Sequence, residues 1–368
     1  MEIICLQENL KKGLNITERI IGKNLTLPIL NNILISVEKS SIKLCSTDLE
    51  IGINCEISGK IIKQGAIVIP AKVLTSFINN LPNKKVQLKT KDNKLTIKCE
   101  NYKSQIKGFS PEEFPIIPKI KSEPILKINK DILRTGLSQI VEITAISESR
   151  PEISGIYMKF EKESIKTAAT DSFRLAEKII NDVDIASINE NEIIIPKRTI
   201  VELIRILQDD DIGNIELVLN QNQVLFNLSN VQIISRLIEG KFPDYTQITP
   251  KEFQTQVITN KQELINNIKL ASFFSGKANE VKLSILPSKS LVELSSEDAD
   301  IGSHKSSLPA KIQGKSIKIS FNYRYLLDGL NNIFSDKVII SVGKEAGKTL
   351  ITSVGDESYK YIVMPIKA

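Results

Sequence analysis

Apolar residues recur along the chain at two different spacings. Leu49, Ile51, Ile53, Cys55 and Ile57 alternate with other side chains, and so do Val86 and Leu88 and, after the turn KDNK, Leu95, Ile97 and Cys99. A period of two is that of a strand with one buried face, and the second set predicts a hairpin. Val281, Leu283 and Ile285 repeat the pattern. Elsewhere the spacing lengthens. Val73, Leu74, Phe77, Ile78 and Leu81 fall at i, i+1, i+4, i+5 and i+8, which predicts a helix with one apolar face.

These signals come three times in one order. IVIPAKVLTSFINNLP, IIIPKRTIVELIRILQ and KISFNYRYLLDGLNNI each hold a β-branched run, a break at Pro70, Pro196 or Asn322, and a helical pattern. SIKLCSTDLEIGI, SIKTAATDSFRLA and LVELSSEDADIGS align on Asp48, Asp171 and Asp298. Each unit opens with a strand-like run followed by a helical one, and in the third Asn260 and Glu263 stand at capping-box spacing. A threefold internal repeat is the simplest source of such order. Short links at KIKSEPIL and QITPKEF divide the chain into domains expected at 1–121, 126–248 and 252–368. The fold class expected is α+β: three tandem copies of one domain, each an antiparallel sheet structure with two helices on one face.

Composition narrows this only a little. The 368 residues are 41% hydrophobic and 25% charged, enough for several folded cores. A net charge of +6 permits nucleic acid as a partner without requiring it. The opening MEIICLQENLKKGL carries an acid at position 2 and breaks its apolar run with charge, so no secretory signal is expected there, and no stretch reaches the length of a membrane span. Cys5, Cys45, Cys55 and Cys99 sit at strand-like positions without CxxC spacing, the pattern of buried free thiols, which suits a cytoplasmic location.

Catalytic constellations are missing. GKEAGKT at 343–349 is one residue short of a phosphate-binding loop and joins two strand-like runs, so a hairpin turn is expected. His304 is the only histidine, which excludes any multi-histidine metal site, and no nucleophile marks it as a base. The acids Glu112, Glu113, Asp209–Asp211, Glu297, Asp298 and Asp300 fall in turn-like stretches and read as solvated loops rather than Mg²⁺ ligands. No cofactor, no metal and no enzymatic activity are expected.

Four phrases, TLPIL at 26–30, TDSFRLA at 170–176, FPDY at 242–245 and YIVMPIKA at 361–368, taken with the repeat, resemble the beta subunit of the bacterial replicative DNA polymerase, the sliding clamp. The resemblance covers the whole chain. It implies a homodimer closed head to tail, domain one against the partner's domain three, as a ring with sheets outside and two helices per domain lining the hole. It implies a processivity factor that encircles duplex DNA and slides. Diffuse, base-independent charge suits sliding, because no register is favoured.

Basic residues on or beside the predicted helices are the DNA-facing candidates. They are Lys11, Lys12, Arg19, Lys23 and Lys72 in the first unit, Arg134, Lys197, Arg198 and Arg205 in the second, and Arg324 in the third, with Lys269 and Lys277 as weaker ones. Asn24 stands where relatives carry Arg; Arg150 matches another family DNA contact, but Pro151 and Glu152 replace the aromatic pair that follows it.

The resemblance also implies a groove for short linear peptides, with Gln and Leu/Phe anchors, from the polymerase catalytic subunit, the clamp loader, other polymerases and repair proteins. Residue matching assigns Ile153, Thr170, Arg174, Leu175, Pro243 and Ile248 to it. Asn322, Tyr325, Ile362, Val363, Met364, Pro365 and Ile366 follow from the third domain. Ser172, Phe173 and Gln247 depart from the family's residues at groove positions, which points to altered ligand preference. Two other readings stand beside this one: a monomeric peptide-binding scaffold, and a DNA-modifying enzyme.

Overall fold

A computed structural model describes residues 1–22, 27–118, 120, 122–147, 149–185, 192–209, 213–250, 252–344 and 347–366. Among them the elements run through three rounds of one order: a strand, a helix, five strands, a second helix, three strands. Round one comprises β1 (Glu2–Leu6), α1 (Gln7–Thr17), β2 (Asn32–Val37), β3 (Ile42–Thr47), β4 (Ile51–Ile57) and β5 (Gly59–Lys63). It continues with β6 (Gly65–Pro70), α2 (Ala71–Asn79), β7 (Lys85–Lys91), β8 (Lys94–Cys99) and β9 (Tyr102–Lys107). Round two comprises β10 (Leu126–Asn129), α3 (Lys130–Ser138), β11 (Gly155–Phe160), β12 (Ile165–Thr170), β13 (Arg174–Ile180) and β14 (Asp184–Ile185). It ends with β15 (Glu192–Pro196), α4 (Lys197–Ile206), β16 (Asn214–Asn220), β17 (Gln223–Leu228) and β18 (Val231–Arg236). Round three comprises β19 (Phe253–Asn260), α5 (Lys261–Ser272), β20 (Glu280–Leu286), β21 (Leu291–Asp298), β22 (Gly302–Pro309) and β23 (Lys311–Gly314). Its last elements are β24 (Ile317–Asn322), α6 (Tyr323–Asn331), β25 (Lys337–Gly343), β26 (Thr349–Ser353) and β27 (Tyr359–Val363).

The repeat landmarks have physical causes. At Asp48, Asp171 and Asp298 one carboxylate oxygen accepts from the backbone N–H groups two and three residues on, at 2.7–3.1 Å, and so closes the turn before the next strand or loop. Pro70, Pro196 and Asn322 each precede a helix, and Asn322 caps α6 by accepting from the Arg324 N–H at 3.0 Å. Asn260 caps α5 through the Glu263 N–H at 2.9 Å. Gly13 and Gly136 hold matching places in α1 and α3. A Cβ there would lie 2.7 Å from Ile57 and 2.5 Å from Ile180 respectively, so glycine is what lets each helix approach its sheet.

Two compact units divide the chain by contact: Met1–Asp131 with Asp184–Ser187 and Val201–Leu237, and Ile132–Val183 with Ile188–Ile200 and Ile238–Ala368. The first holds a five-stranded sheet, β5-β1-β7-β8-β9, and a nine-stranded one, β14-β10-β16-β17-β18-β4-β3-β2-β6. The nine-stranded sheet is five strands of round two joined to four of round one, by antiparallel pairing of β18 with β4 from Val231↔Cys55 to Ser235↔Ile51. The second unit holds a nine-stranded sheet, β15-β11-β12-β13-β27-β26-β25-β19-β23, and a four-stranded one, β22-β21-β20-β24. Here β27 of round three joins β13 of round two, from Arg174↔Val363 to Lys178↔Tyr359. One joint is therefore made twice, and β9 and β22, its counterparts in rounds one and three, are left as sheet edges.

Two expected positions move. Leu49 lies in the turn before β4, at φ 80° and 45% exposed, because the Asp48 turn and not the alternation sets the strand start. Val73 is 54% exposed, whereas Leu74 and Ile78 are fully buried, so the apolar face of α2 is narrower than its sequence suggests. Of GKEAGKT, Gly343 ends β25 and Thr349 begins β26, two strands paired antiparallel with Val342 opposite Thr349, while Glu345 and Ala346 lie outside the described residues. All four cysteines are free and buried, and burial first of all pushes the thiols of Cys5 and Cys55 up to about 12 and that of Cys45 up to about 11. These are core side chains rather than nucleophiles.

Candidate functional site

Within the second unit, the turn between β12 and β13 brings the expected groove residues beside the last strand. Thr170 ends β12, Ser172 takes a left-handed φ of 76°, and Arg174 and Leu175 begin β13 opposite Val363 and Ile362. The Met364 N–H donates to the Phe173 carbonyl at 2.8 Å, and the Ile366 N–H to that of Ser320 at 2.8 Å, so the chain beyond β27 is held at Met364 and again at Ile366. Underneath lies a cluster of Tyr157, Ala168, Leu175, Ile194, Phe242, Tyr245 and Ile362, with Ile248 packed against it. Tyr157 stacks on Phe242 at 5.0 Å between ring centres. Ile153, Leu175, Ile362 and Val363 are 3% exposed or less and form the floor. Pro243, Ile248, Asn322, Tyr325, Met364, Pro365 and Ile366 are half-buried and available to a ligand, and Gln247 is exposed, with its amide donating to Asp244 at 2.8 Å.

Arg174 is fixed on three sides. Its Nε donates to Asp171 at 2.8 Å, a terminal nitrogen donates to Asp328, and the guanidinium sits 4.4 Å from the centre of the Tyr325 ring. Burial works against its charge, but Tyr361 and the Asp328 and Asp171 carboxylates outweigh burial and hold its pKa above the ordinary range. Phe173, 60% exposed, stacks beside Tyr325 at 6.5 Å and gives the groove an aromatic shelf. The Thr170 hydroxyl is used internally: it donates to the Arg174 carbonyl at 2.7 Å and accepts from the Ser172 N–H at 3.2 Å. Asn322 spends its oxygen on the α6 cap, which leaves its amide N–H₂ for a ligand. Asp171 and Asp328 were not among the expected site residues. The first is visible as the repeat's turn acid, whereas nothing in the sequence links Asp328 to a position 154 residues away.

Basic candidates divide by unit. In the first, Lys11, Lys12 and Arg19 of the α1 region and Arg205 of α4 border one shallow cavity of about 430 Å³. Lys12 pairs with Asp209 at 2.7 Å and Arg205 with Glu202 at 2.9 Å; Lys11 and Lys72 are exposed. In the second, Lys197 pairs with Glu142 at 2.9 Å, Arg134 is half-buried, and Arg198 is exposed. Arg324 is exposed too, leaning on the Tyr323 ring at 5.8 Å. Arg150 reaches Ser172 at 3.0 Å and Glu152 at 3.3 Å, which ties it to the groove turn. Lys23 and Asn24 lie outside the described residues. Among the described residues no group of three or more His, Cys, Asp or Glu is arranged to hold a metal, and His304 stacks on Phe274 at 6.0 Å.

Comparison with known proteins agrees with this architecture. Family models for the DNA polymerase III beta subunit match residues 1–118 (N-terminal domain), 127–244 (central domain) and 246–367 (C-terminal domain). A beta sliding clamp of Staphylococcus aureus is 30% identical over 380 residues, covering 100% of this chain and 99% of that protein. One of Synechococcus elongatus is 28% identical over 375 residues with the same coverage. The crystal structure of the DNA polymerase sliding clamp from Bacillus subtilis superposes with a TM-score of 0.95 at 27% identity, covering 100% of this chain and 99% of that one. The chain therefore belongs to the DNA polymerase III beta subunit family, the beta sliding clamps, and is a non-catalytic processivity subunit of a DNA polymerase.

Proposed function

We propose that two copies of this chain close head to tail into a ring around duplex DNA, slide along it in the cytoplasm, and tether the replicative polymerase and other partners through the groove. The recurring strand joint carries this reading. Twice within the chain the last strand of one round pairs with the third strand of the four-stranded set of the preceding round, β18 with β4 and β27 with β13. Continuing the series, β9 of round one would take β22 of round three, supplied by a second copy. The joint is heterologous and closes after two copies. Side chains near the two edges favour it. Tyr102, Lys103 and Lys107 are exposed on β9, while Leu270, Phe273 and Ile301 are exposed in round three beside the acids Glu297 and Asp300.

In such a ring the three domains, taken as 1–121, 126–248 and 252–368, each contribute two helices to the lining. Lys11, Lys72, Arg198 and Arg324 are its best-exposed charges. Lys12, Lys197 and Arg205 would act through pairs that a phosphate can share or displace, which lowers their individual weight. The groove suits a Gln- and Leu/Phe-bearing peptide. Met364 adapts to an apolar side chain, the Phe173–Tyr325 shelf takes an aromatic one, and the Asn322 amide and the Arg174 fork offer donors. Sedimentation equilibrium at micromolar concentration tests the assembly: the reading expects twice the 41.1 kDa chain mass, and a monomer alone would favour a peptide-binding scaffold instead.

A further inference from the structure

We propose that peptides docking in the groove carry acidic residues beside their anchor, and that a lysine-lined cleft beyond the tail receives them. This rests on the groove being a peptide site and extends its specificity. The cleft has a volume of about 1150 Å³ and lies within the second unit. It is continuous with the groove because Met364, Pro365 and Ile366 border both. Strand β24 leads from one to the other: Asn322, Ser320 and Lys318 alternate along it and so share a face. Lys282 stands across from Ser320 and Ser284 across from Lys318, which sets ammonium groups and hydroxyls side by side along the wall.

The charge is one-sided. Lys282, Lys318, Lys344 and Lys348 line the cleft, against Glu252 as the sole carboxylate among the described lining residues. Lys344 pairs with Glu252, and Lys282 reaches Glu280 at 4.0 Å. Lys318 and Lys348 have no carboxylate within ion-pair reach among the described residues, so a ligand's acid would meet cations that none of the described carboxylates pairs with. Serine hydroxyls beside them add donors for carboxylate oxygens. Among the described lining residues there is no aromatic ring on which a base could stack, which favours an acidic peptide over single-stranded nucleic acid.

The test uses the full-length protein and two labelled peptides sharing one Gln and one Leu-Phe anchor, flanked by three Glu or by three Gln on each side. Fluorescence anisotropy should give about 5-fold tighter binding for the Glu-flanked peptide at low salt, falling to less than about 2-fold in half-molar salt. The double variant Lys318→Glu/Lys348→Glu should abolish the difference and leave the Gln-flanked peptide unaffected. Equal affinity of the two peptides for the wild type would overturn the proposal, as would a preference that survives in the double variant. A thymidine oligonucleotide that displaces the Glu-flanked peptide but spares the Gln-flanked one would assign the cleft to nucleic acid and overturn it too. If neither peptide binds, the groove reading itself fails, and this inference with it.

Discussion

Replacing Gln105 with proline isolates the joint between copies. Cys99 and Tyr102 flank a two-residue turn and pair across it, which makes them a hydrogen-bonded pair. Alternation then turns the Ser104 and Ile106 N–H groups toward β8 and those of Lys103, Gln105 and Lys107 away from it. The Gly108 N–H, which donates inward to Asn93 at 2.7 Å, keeps the same parity. Proline at 105 thus removes an outward donor on an edge strand, where the ring is tolerated. Per joint the loss is one hydrogen bond, and the facing carbonyl is left buried without a partner: about 1–3 kcal/mol. A two-joint ring loses about 2–6 kcal/mol, and at about 1.4 kcal/mol per decade its dimer constant weakens by about 30- to 10⁴-fold. Sedimentation equilibrium from nanomolar to micromolar concentration reads this, with far-ultraviolet circular dichroism as the fold control. Ser104→Pro provides the contrast, since it breaks the bond to β8 and should lower the melting temperature of the chain itself. A folded Gln105→Pro protein with the wild-type dimer constant would refute the strand-joint argument.

Three substitutions and one change of conditions probe the remaining claims. Met364→Ala should weaken peptide binding by about 1–2 kcal/mol, or about 5- to 30-fold by calorimetric titration, without altering sedimentation. Lys72→Glu or Arg198→Glu should weaken DNA association and reduce the slope of its logarithmic salt dependence by about one per contact, while peptide affinity is unchanged. The thiols should resist a disulfide reagent at pH 8 in the native protein and react on unfolding. Because burial raises the pKa of Cys5 and Cys55 from 9.0 to about 12 and that of Cys45 to about 11, the unfolded chain ionises first, so stability is full below pH 9 and falls as the pH climbs toward 12. A melting temperature flat from pH 8 to 11 would contradict that.

Much of the architecture could be read along the chain because its causes are local. Asp48, Asp171 and Asp298 close their turns with backbone groups two and three residues away, Pro70 and Pro196 mark helix starts through their fixed φ, and Asn322 marks one through its side-chain cap. The groove's wall could be matched for the same reason, since Thr170–Leu175 and Ile362–Ile366 are continuous phrases. Long-range pairing was out of reach. That Lys12 meets Asp209 and Lys197 meets Glu142 depends on which helices and loops become neighbours, and neither helix pattern encodes it. Arg150 bonds Ser172 in place of standing free, and the lysines of the tail cleft come from three separate stretches of the third round. The joints themselves pair strands of different rounds; contact therefore groups the chain into two units although its sequence repeats three times.

Enclosure is the central claim, and topology tests it most directly. The protein loaded on a nicked circular duplex should stay bound through gel filtration at moderate salt and be lost once the circle is cut at a single site. Equal retention on circular and linear DNA, or equal loss from both, would contradict a closed ring and leave only ordinary affinity.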